Sequence, residues 1–125
     1  MDSGRRLFLV YGTERMNLSF TRGLSAAILF RTRRCRLFSL TRGILGMKKE
    51  WRDFLRGLDF PSAEMGSRDF KEAYPNAEFS PPCILLFVEG AFRRIASAQD
   101  ISRCSSAGEL MTFVHLGLRD SLRKA

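Results

Sequence analysis

Two short apolar runs joined by a two-residue turn constrain the fold of this chain more than any other feature. The run Cys83–Val88 (CILLFV) has the length and continuous hydrophobicity of a buried strand, and two prolines precede it. Glu89-Gly90 is typical of a hairpin turn, and residues 91–97 (AFRRIAS) supply a returning strand. Because so short a connection joins antiparallel neighbours, the sequence predicts a β-hairpin in the C-terminal half.

The rest of the chain shows both helical and strand patterns. Residues 14–29 and 46–58 carry apolar side chains at helical spacing, and a short helix is predicted over residues 69–74. Arg36–Thr41 alternates in the manner of an interior strand. Residues 5–11 are apolar but too few for periodicity to separate a strand from a turn of helix.

The C-terminal helix has a start signal in the sequence. Ser106 and Glu109 form the S-x-x-E pattern of a capping box. Strands, helices, a hairpin and a final helix together predict an α/β fold with a central mixed sheet and helices packed on it. The chain of 125 residues has the size of one domain. We expect a basic, partly helical N-terminal segment over residues 1–34 and the folded domain over residues 35–125.

The net positive charge lies entirely in the first two-fifths of the chain, because bases and acids nearly balance in the rest. Residues 1–49 hold eleven of the 21 Lys and Arg residues and two of the 13 acids, and the whole chain has a net charge of +8. Most of these bases are Arg, whose planar guanidinium matches the geometry of phosphate. This concentration predicts a surface that faces a polyanion.

The densest basic cluster is the R-T-R-R-C-R run of residues 31–36. We interpret it as a contact for the phosphates of structured RNA, which would fix position without reading base sequence. A solubilising or import-related basic stretch is the alternative interpretation. The predicted RNA-binding residues are Arg22, Arg31, Arg33, Arg34, Arg36, Arg42, Lys48 and Lys49.

The hairpin, its preceding prolines and the capped terminal helix resemble a thioredoxin-like domain. Such domains place a proline before this hairpin, often in the cis form, and Pro82 matches that position, with Pro81 as the alternative. The redox pair does not carry over, because no C-x-x-C precedes the predicted helix 46–58. A narrower resemblance, over roughly residues 24–118, is to the non-catalytic thioredoxin-like family shared by certain mitochondrial ribosomal proteins and a small accessory subunit of respiratory complex I.

This narrower resemblance implies a structural component of the mitochondrial ribosome in the matrix, with rRNA and neighbouring proteins as partners. The first 45 residues also have the Arg-rich, acid-poor composition of a mitochondrial transit segment. One alternative is an accessory subunit of a respiratory complex or another protein assembly. A second is a thioredoxin-like protein with a single active thiol, for which Cys83 is the candidate. A secreted or phage-type binding protein with an incidental basic bias is the third.

The sequence contains no pattern typical of a catalytic, cofactor or metal site. Cys35, Cys83 and Cys104 lie far apart and His115 is the only histidine, so neither a redox dithiol nor a usual zinc site is expected. No phosphate-binding loop or nucleophile elbow occurs. No apolar run approaches the roughly 20 residues of a membrane span. We therefore expect a protein that is not an enzyme, with no cofactor, small-molecule substrate or transmembrane segment.

Overall fold

The computed structural model describes residues 4–12, 36–43 and 46–124. The predicted helix over residues 14–29 lies outside these ranges. In chain order the strands are β1 (Arg6–Tyr11), β2 (Arg42–Gly43), β3 (Gly46–Met47), β4 (Ser62–Gly66), β5 (Cys83–Val88) and β6 (Ala91–Ala96). The helices are α1 (Arg36–Thr41), α2 (Lys49–Arg56), α3 (Ser67–Ala73), α4 (Ala98–Arg103) and α5 (Ala107–Lys124).

A four-stranded mixed sheet in the order β4-β1-β5-β6 confirms the predicted α/β class. β1 pairs in parallel with β4 and antiparallel with β5, which pairs antiparallel with β6. Every residue of β1 from Leu7 to Tyr11 is buried, because the strand is bonded on both edges and covered on both faces. Residues 6–11 are therefore a strand, and the sheet takes a central member from the range 1–34 that was predicted as a basic segment.

Two apolar layers cover the two faces of this sheet. Helices α1, α2, α4 and α5 pack on one face, against alternate side chains of β1 and β5. Helix α3 and the segment after it cover the other face with an aromatic cluster. The ring of Phe92 is the centre of that cluster, with centroids 4.9–6.1 Å from the rings of Phe8, Phe70, Tyr74, Phe79 and Phe87.

The predicted hairpin is confirmed, and its turn has two residues. Val88 lies opposite Ala91, so only Glu89 and Gly90 connect the strands. Both have positive φ, 53° and 79°, as the turn type that matches the twist of a hairpin requires. The peptide bond between Pro81 and Pro82, which precedes β5, is cis.

The predicted interior strand at Arg36–Thr41 is wrong, because this segment is helix α1. Leu37 and Leu40, three residues apart, are both buried and share one helical face. The Thr41 hydroxyl donates to the Leu37 carbonyl at 2.9 Å within the same helix. The apolar residues in this six-residue segment fit the two-residue repeat of a strand and the 3.6-residue repeat of a helix equally well. Packing of Leu37 and Leu40 in the core beside the sheet favours the helix.

Three elements, β2, β4 and α4, lie where no regular element was predicted, and β3 takes the first two residues of the helix predicted over residues 46–58. β4 (SAEMG) has few apolar residues because it is an edge strand whose first four side chains are exposed or half-buried. Helix α4 begins with a complete capping box. The amide of Asp100 donates to Ser97 Oγ at 3.1 Å, and the amide of Ser97 donates to Asp100 Oδ2 at 2.9 Å.

The predicted helices differ from the observed ones mainly at their ends. The helix predicted over residues 46–58 is α2, shortened to Lys49–Arg56, and the one predicted over residues 69–74 is α3. At α5, Ser106 Oγ accepts from the amide of Glu109 at 3.2 Å, as a capping box requires. The Glu109 carboxylate, however, accepts from the amide and hydroxyl of Ser105, so the reciprocal bond lies one residue earlier than predicted.

Replacing Glu89 by Asn should raise the free energy of unfolding by about 0.5–1 kcal/mol. Asn tolerates positive φ better than Glu, and Asn-Gly suits this two-residue turn. Urea denaturation measures the change, with Gly90→Ala as the destabilising control because a Cβ is strained at φ 79°. Equal or lower stability of the Asn variant would contradict the turn geometry.

Candidate nucleic-acid interface

Helix α2 separates an apolar side from a basic side. Trp51 and Leu55 are buried one helical turn apart, and the Trp51 ring packs edge-on against Phe54 at a centroid distance of 5.4 Å. The backbone amide of Lys48, which precedes the helix, donates to the Thr41 carbonyl at 2.8 Å. These contacts fix the helix and determine which of its residues face solvent.

Four cations lie on the solvent side of this helix or immediately before it, and we call them the basic α2 face: Lys48, Lys49, Arg52 and Arg56. At 3.6 residues per turn, Lys49, Arg52 and Arg56 lie within an arc of about 60°. Glu50 and Asp53 project outside this arc, and Lys48 is the extended N-cap residue that precedes the helix. Lys48 is half-buried and the other three residues are exposed. Among the described residues, none of the four has an ion-pair partner.

A cleft of about 470 Å³ borders the basic α2 face. Arg52 and Arg56 form one wall, and the start of β4 forms the opposite wall. The lining residues are Met47, Arg52, Leu55, Arg56, Leu58, Phe60, Pro61, Ser62 and Glu64. Leu55 and Phe60 are buried, so the cleft combines an apolar floor with two guanidinium groups.

The predicted RNA contact Arg42 lies in the interior of the fold. Its guanidinium donates to both oxygens of Glu64, with Nε–Oε2 and Nη2–Oε1 distances of 3.0 and 2.5 Å. The two side chains are only 7% and 18% exposed. Burial by itself lowers the pKa of Arg42, but the hydrogen bonds and charge of Glu64 outweigh it and raise the pKa. Arg42 therefore acts as an internal counter-ion, and we remove it from the candidate RNA contacts.

Tyr11 completes this buried polar cluster. Its hydroxyl donates a short hydrogen bond to Glu64 Oε2 and lies 3.1 Å from Thr41 Oγ1. Burial, followed by the charge of Glu64, raises the pKa of Tyr11 far above its usual value. The cluster joins β1 and β4 to the end of α1 without leaving the Glu64 charge uncompensated.

Arg36 is exposed but bound to the protein. Its Nε and Nη2 donate to the Cys104 carbonyl at 3.3 and 2.7 Å and tie α1 to the connection between α4 and α5. Of the predicted RNA contacts, Lys49 is the exposed first residue of α2 and the half-buried Lys48 immediately precedes it. Arg22, Arg31, Arg33 and Arg34 lie outside the described residues.

Arg52 and Arg56 were absent from the predicted site, although the sequence carried a signal for them. The apolar stripe of the predicted helix 46–58 places both residues on its polar side, next to Lys48. The R-T-R-R-C-R run was predicted as the centre of the site because basic residues are densest there. What the sequence did not reveal was the cleft, which depends on β4.

The cysteines in the described ranges are buried free thiols. Burial raises the pKa of Cys83 to about 11, and the positive charge of Arg94 only partly opposes this effect. The pKa of Cys104 is also raised, first by burial and then by the charge of Glu109. Neutral thiols predominate at pH 7, which makes Cys83 a poor nucleophile.

Residues 4–12, 36–43 and 46–124 contain neither a cluster of metal-ligating side chains nor a helix suited to crossing a membrane. No group of three or more His, Cys, Asp and Glu side chains lies together there as a metal site would require. None of the helices in these ranges has the length and hydrophobicity needed for a bilayer crossing.

Comparison with known proteins yields no relative. No protein-family model matches the chain, and no curated protein or solved structure matches it. Function must therefore be inferred from the residues and their geometry.

Replacing Glu64 by Gln should lower the free energy of unfolding by about 3–5 kcal/mol, because the buried Arg42 charge loses its partner. Adding Arg42→Met should recover much of this loss. Urea denaturation at neutral pH measures both. The matched control is Glu72→Gln, in which the exposed ion pair with Arg68 at 3.7 Å is lost. Losing this exposed pair should lower the free energy of unfolding by under about 0.5 kcal/mol. Similar small losses at the two sites would contradict the buried pair.

Cys83 should react slowly with iodoacetamide at pH 7 in a Cys35→Ser, Cys104→Ser variant. With a pKa of about 11, the thiolate fraction rises about tenfold per pH unit until that pH is reached. Alkylation rates from pH 7 to 11, compared with those of the urea-unfolded chain, measure this dependence. A rate that is already maximal near pH 7 would instead support the single-thiol alternative.

Proposed function

We propose that this protein is a non-catalytic component of an RNA–protein assembly and that it contacts the phosphates of structured RNA. The observation that carries the proposal is the basic α2 face, where three cations lie within one arc of an anchored helix and Lys48 immediately precedes them. The Arg-rich residues 31–36 precede this helix in the sequence and add to the positive charge of the same half of the chain.

The arrangement suits electrostatic binding. Each phosphate that a Lys or Arg neutralises releases condensed counter-ions, so the affinity depends steeply on salt. Because Trp51 and Leu55 hold α2 in place, little conformational freedom of the helix is lost when its cations meet the RNA backbone. Such contacts position a protein on RNA without selecting a base sequence.

We also propose the finer assignment that the resemblance implies: a thioredoxin-like domain in the mitochondrial ribosome, located in the matrix and packed against neighbouring proteins. The strand order β4-β1-β5-β6, with its hairpin and terminal helix, supports the thioredoxin-like arrangement. The basic composition of the first 45 residues supports the mitochondrial location. The accessory-subunit alternative differs in placing acidic protein or anionic lipid on the basic surface.

Lys48→Ala combined with Lys49→Ala should weaken binding to a structured RNA hairpin and make it less sensitive to salt. Fluorescence anisotropy from 50 to 300 mM salt gives the slope of log affinity against log salt concentration. Losing two phosphate contacts should reduce that slope by roughly 1.5–2.

The matched control is Arg68→Ala combined with Lys71→Ala, which removes the same charge from α3 on the other side of the sheet. The control should retain the wild-type slope. An affinity of the wild-type protein that does not change with salt, or an equal loss in both double variants, would refute the proposed interface.

A further inference from the structure

We propose that the cleft beside α2 holds one unpaired nucleotide of the bound RNA. This inference rests on the proposed function and names the kind of RNA that the same surface selects. Its phosphate would lie between Arg52 and Arg56, and its base against the apolar floor of the cleft.

The anionic part of the nucleotide is recognised by two guanidinium groups. Arg52 and Arg56 are four residues apart, so their Cβ atoms lie about 5–6 Å from each other on one side of the helix. Neither is engaged by an acid among the described residues, and both line the cleft. Arg binds phosphate oxygens in pairs, so two adjacent guanidinium groups suit a single phosphate.

The volume of the cleft indicates a ligand larger than phosphate. A cleft of about 470 Å³ falls in the range of small-molecule sites and leaves room for a base and its sugar. The half-buried Met47 and Leu58 and the exposed Pro61 provide accessible apolar surface on which the face of a base can rest. Lys48 and Lys49 lie outside this lining and remain available for the phosphates of flanking nucleotides.

The one carboxylate in the cleft does not oppose an anion. Glu64 lines the wall formed by β4, but its charge is compensated by the paired contacts of Arg42 and its Oε2 also accepts from Tyr11. The uncompensated charges at the cleft therefore belong to the two arginines. A phosphate ester with a flat aromatic ring fits this combination better than a cation or a neutral lipid does.

The nucleotide must be unpaired, because a base inside an RNA duplex is stacked and cannot enter a side cleft. Proteins recognise bases mostly in loops, bulges and ends, where these can be splayed out. A bulged RNA should therefore bind more tightly than a fully paired RNA of equal charge.

The test compares two RNA hairpins that are identical except for a single-nucleotide bulge, by fluorescence anisotropy at one fixed salt concentration. The wild-type protein should bind the bulged RNA about tenfold more tightly. Ser62→Tyr places a ring in the cleft at an exposed position and leaves every charge unchanged, so it should abolish the preference while affinity for the paired hairpin persists. Ser102→Tyr, at an exposed position of α4 away from the cleft lining, should retain the preference.

Circular dichroism of each variant verifies that it is folded. Equal wild-type affinity for the two hairpins, with normal salt dependence, would overturn this inference and leave the proposed function standing. A preference that survives Ser62→Tyr would also overturn it, because the base would then bind elsewhere. If neither hairpin binds, the proposed function and this inference both fail.

Discussion

Burial of β1 on both faces and along both edges is the constraint on which the described architecture depends. Leu7, Leu9 and Tyr11 project into the core beneath the helices, whereas Phe8 and Val10 project into the aromatic cluster on the opposite face. Fully burying each large apolar side chain contributes about 1.5–3 kcal/mol. The same strand bonds to β4 and β5, so its removal would disconnect the edge strand from the hairpin. The fold therefore draws its central strand from the most basic part of the chain.

The buried pair of Arg42 and Glu64 connects this core to the candidate interface. Glu64 accepts from Arg42 and Tyr11 on the inner side of β4, and it also lines the cleft beside α2. Because the pair compensates the Glu64 carboxylate, the uncompensated charges in the cleft lining are those of Arg52 and Arg56. An interaction in the interior thus also compensates the one negative charge in the cleft lining.

The sequence predicts an element well when the residues that determine it lie close together in the chain, and poorly when they are distant. The hairpin was predictable because apolar runs and a turn lie together between residues 83 and 97. α1 was misassigned because six residues satisfy two periods, and β4 was missed because an edge strand needs few apolar side chains. At the site, the amphipathic pattern of α2 places Arg52 and Arg56 on its exposed side. The pairing of Arg42 with Glu64, 22 residues away, depends on tertiary packing that no local pattern reveals.

The central claim is that the cations of this small α/β protein neutralise an RNA backbone within a larger particle. Sedimentation of the native protein in a low-salt cell or organelle extract, with and without ribonuclease, tests that claim most directly. The account predicts that the protein sediments with large particles and moves to slow fractions once the RNA is digested. Fast sedimentation that ribonuclease leaves unchanged would contradict it and indicate a particle held together by protein or lipid. Slow sedimentation in both samples would contradict it as well.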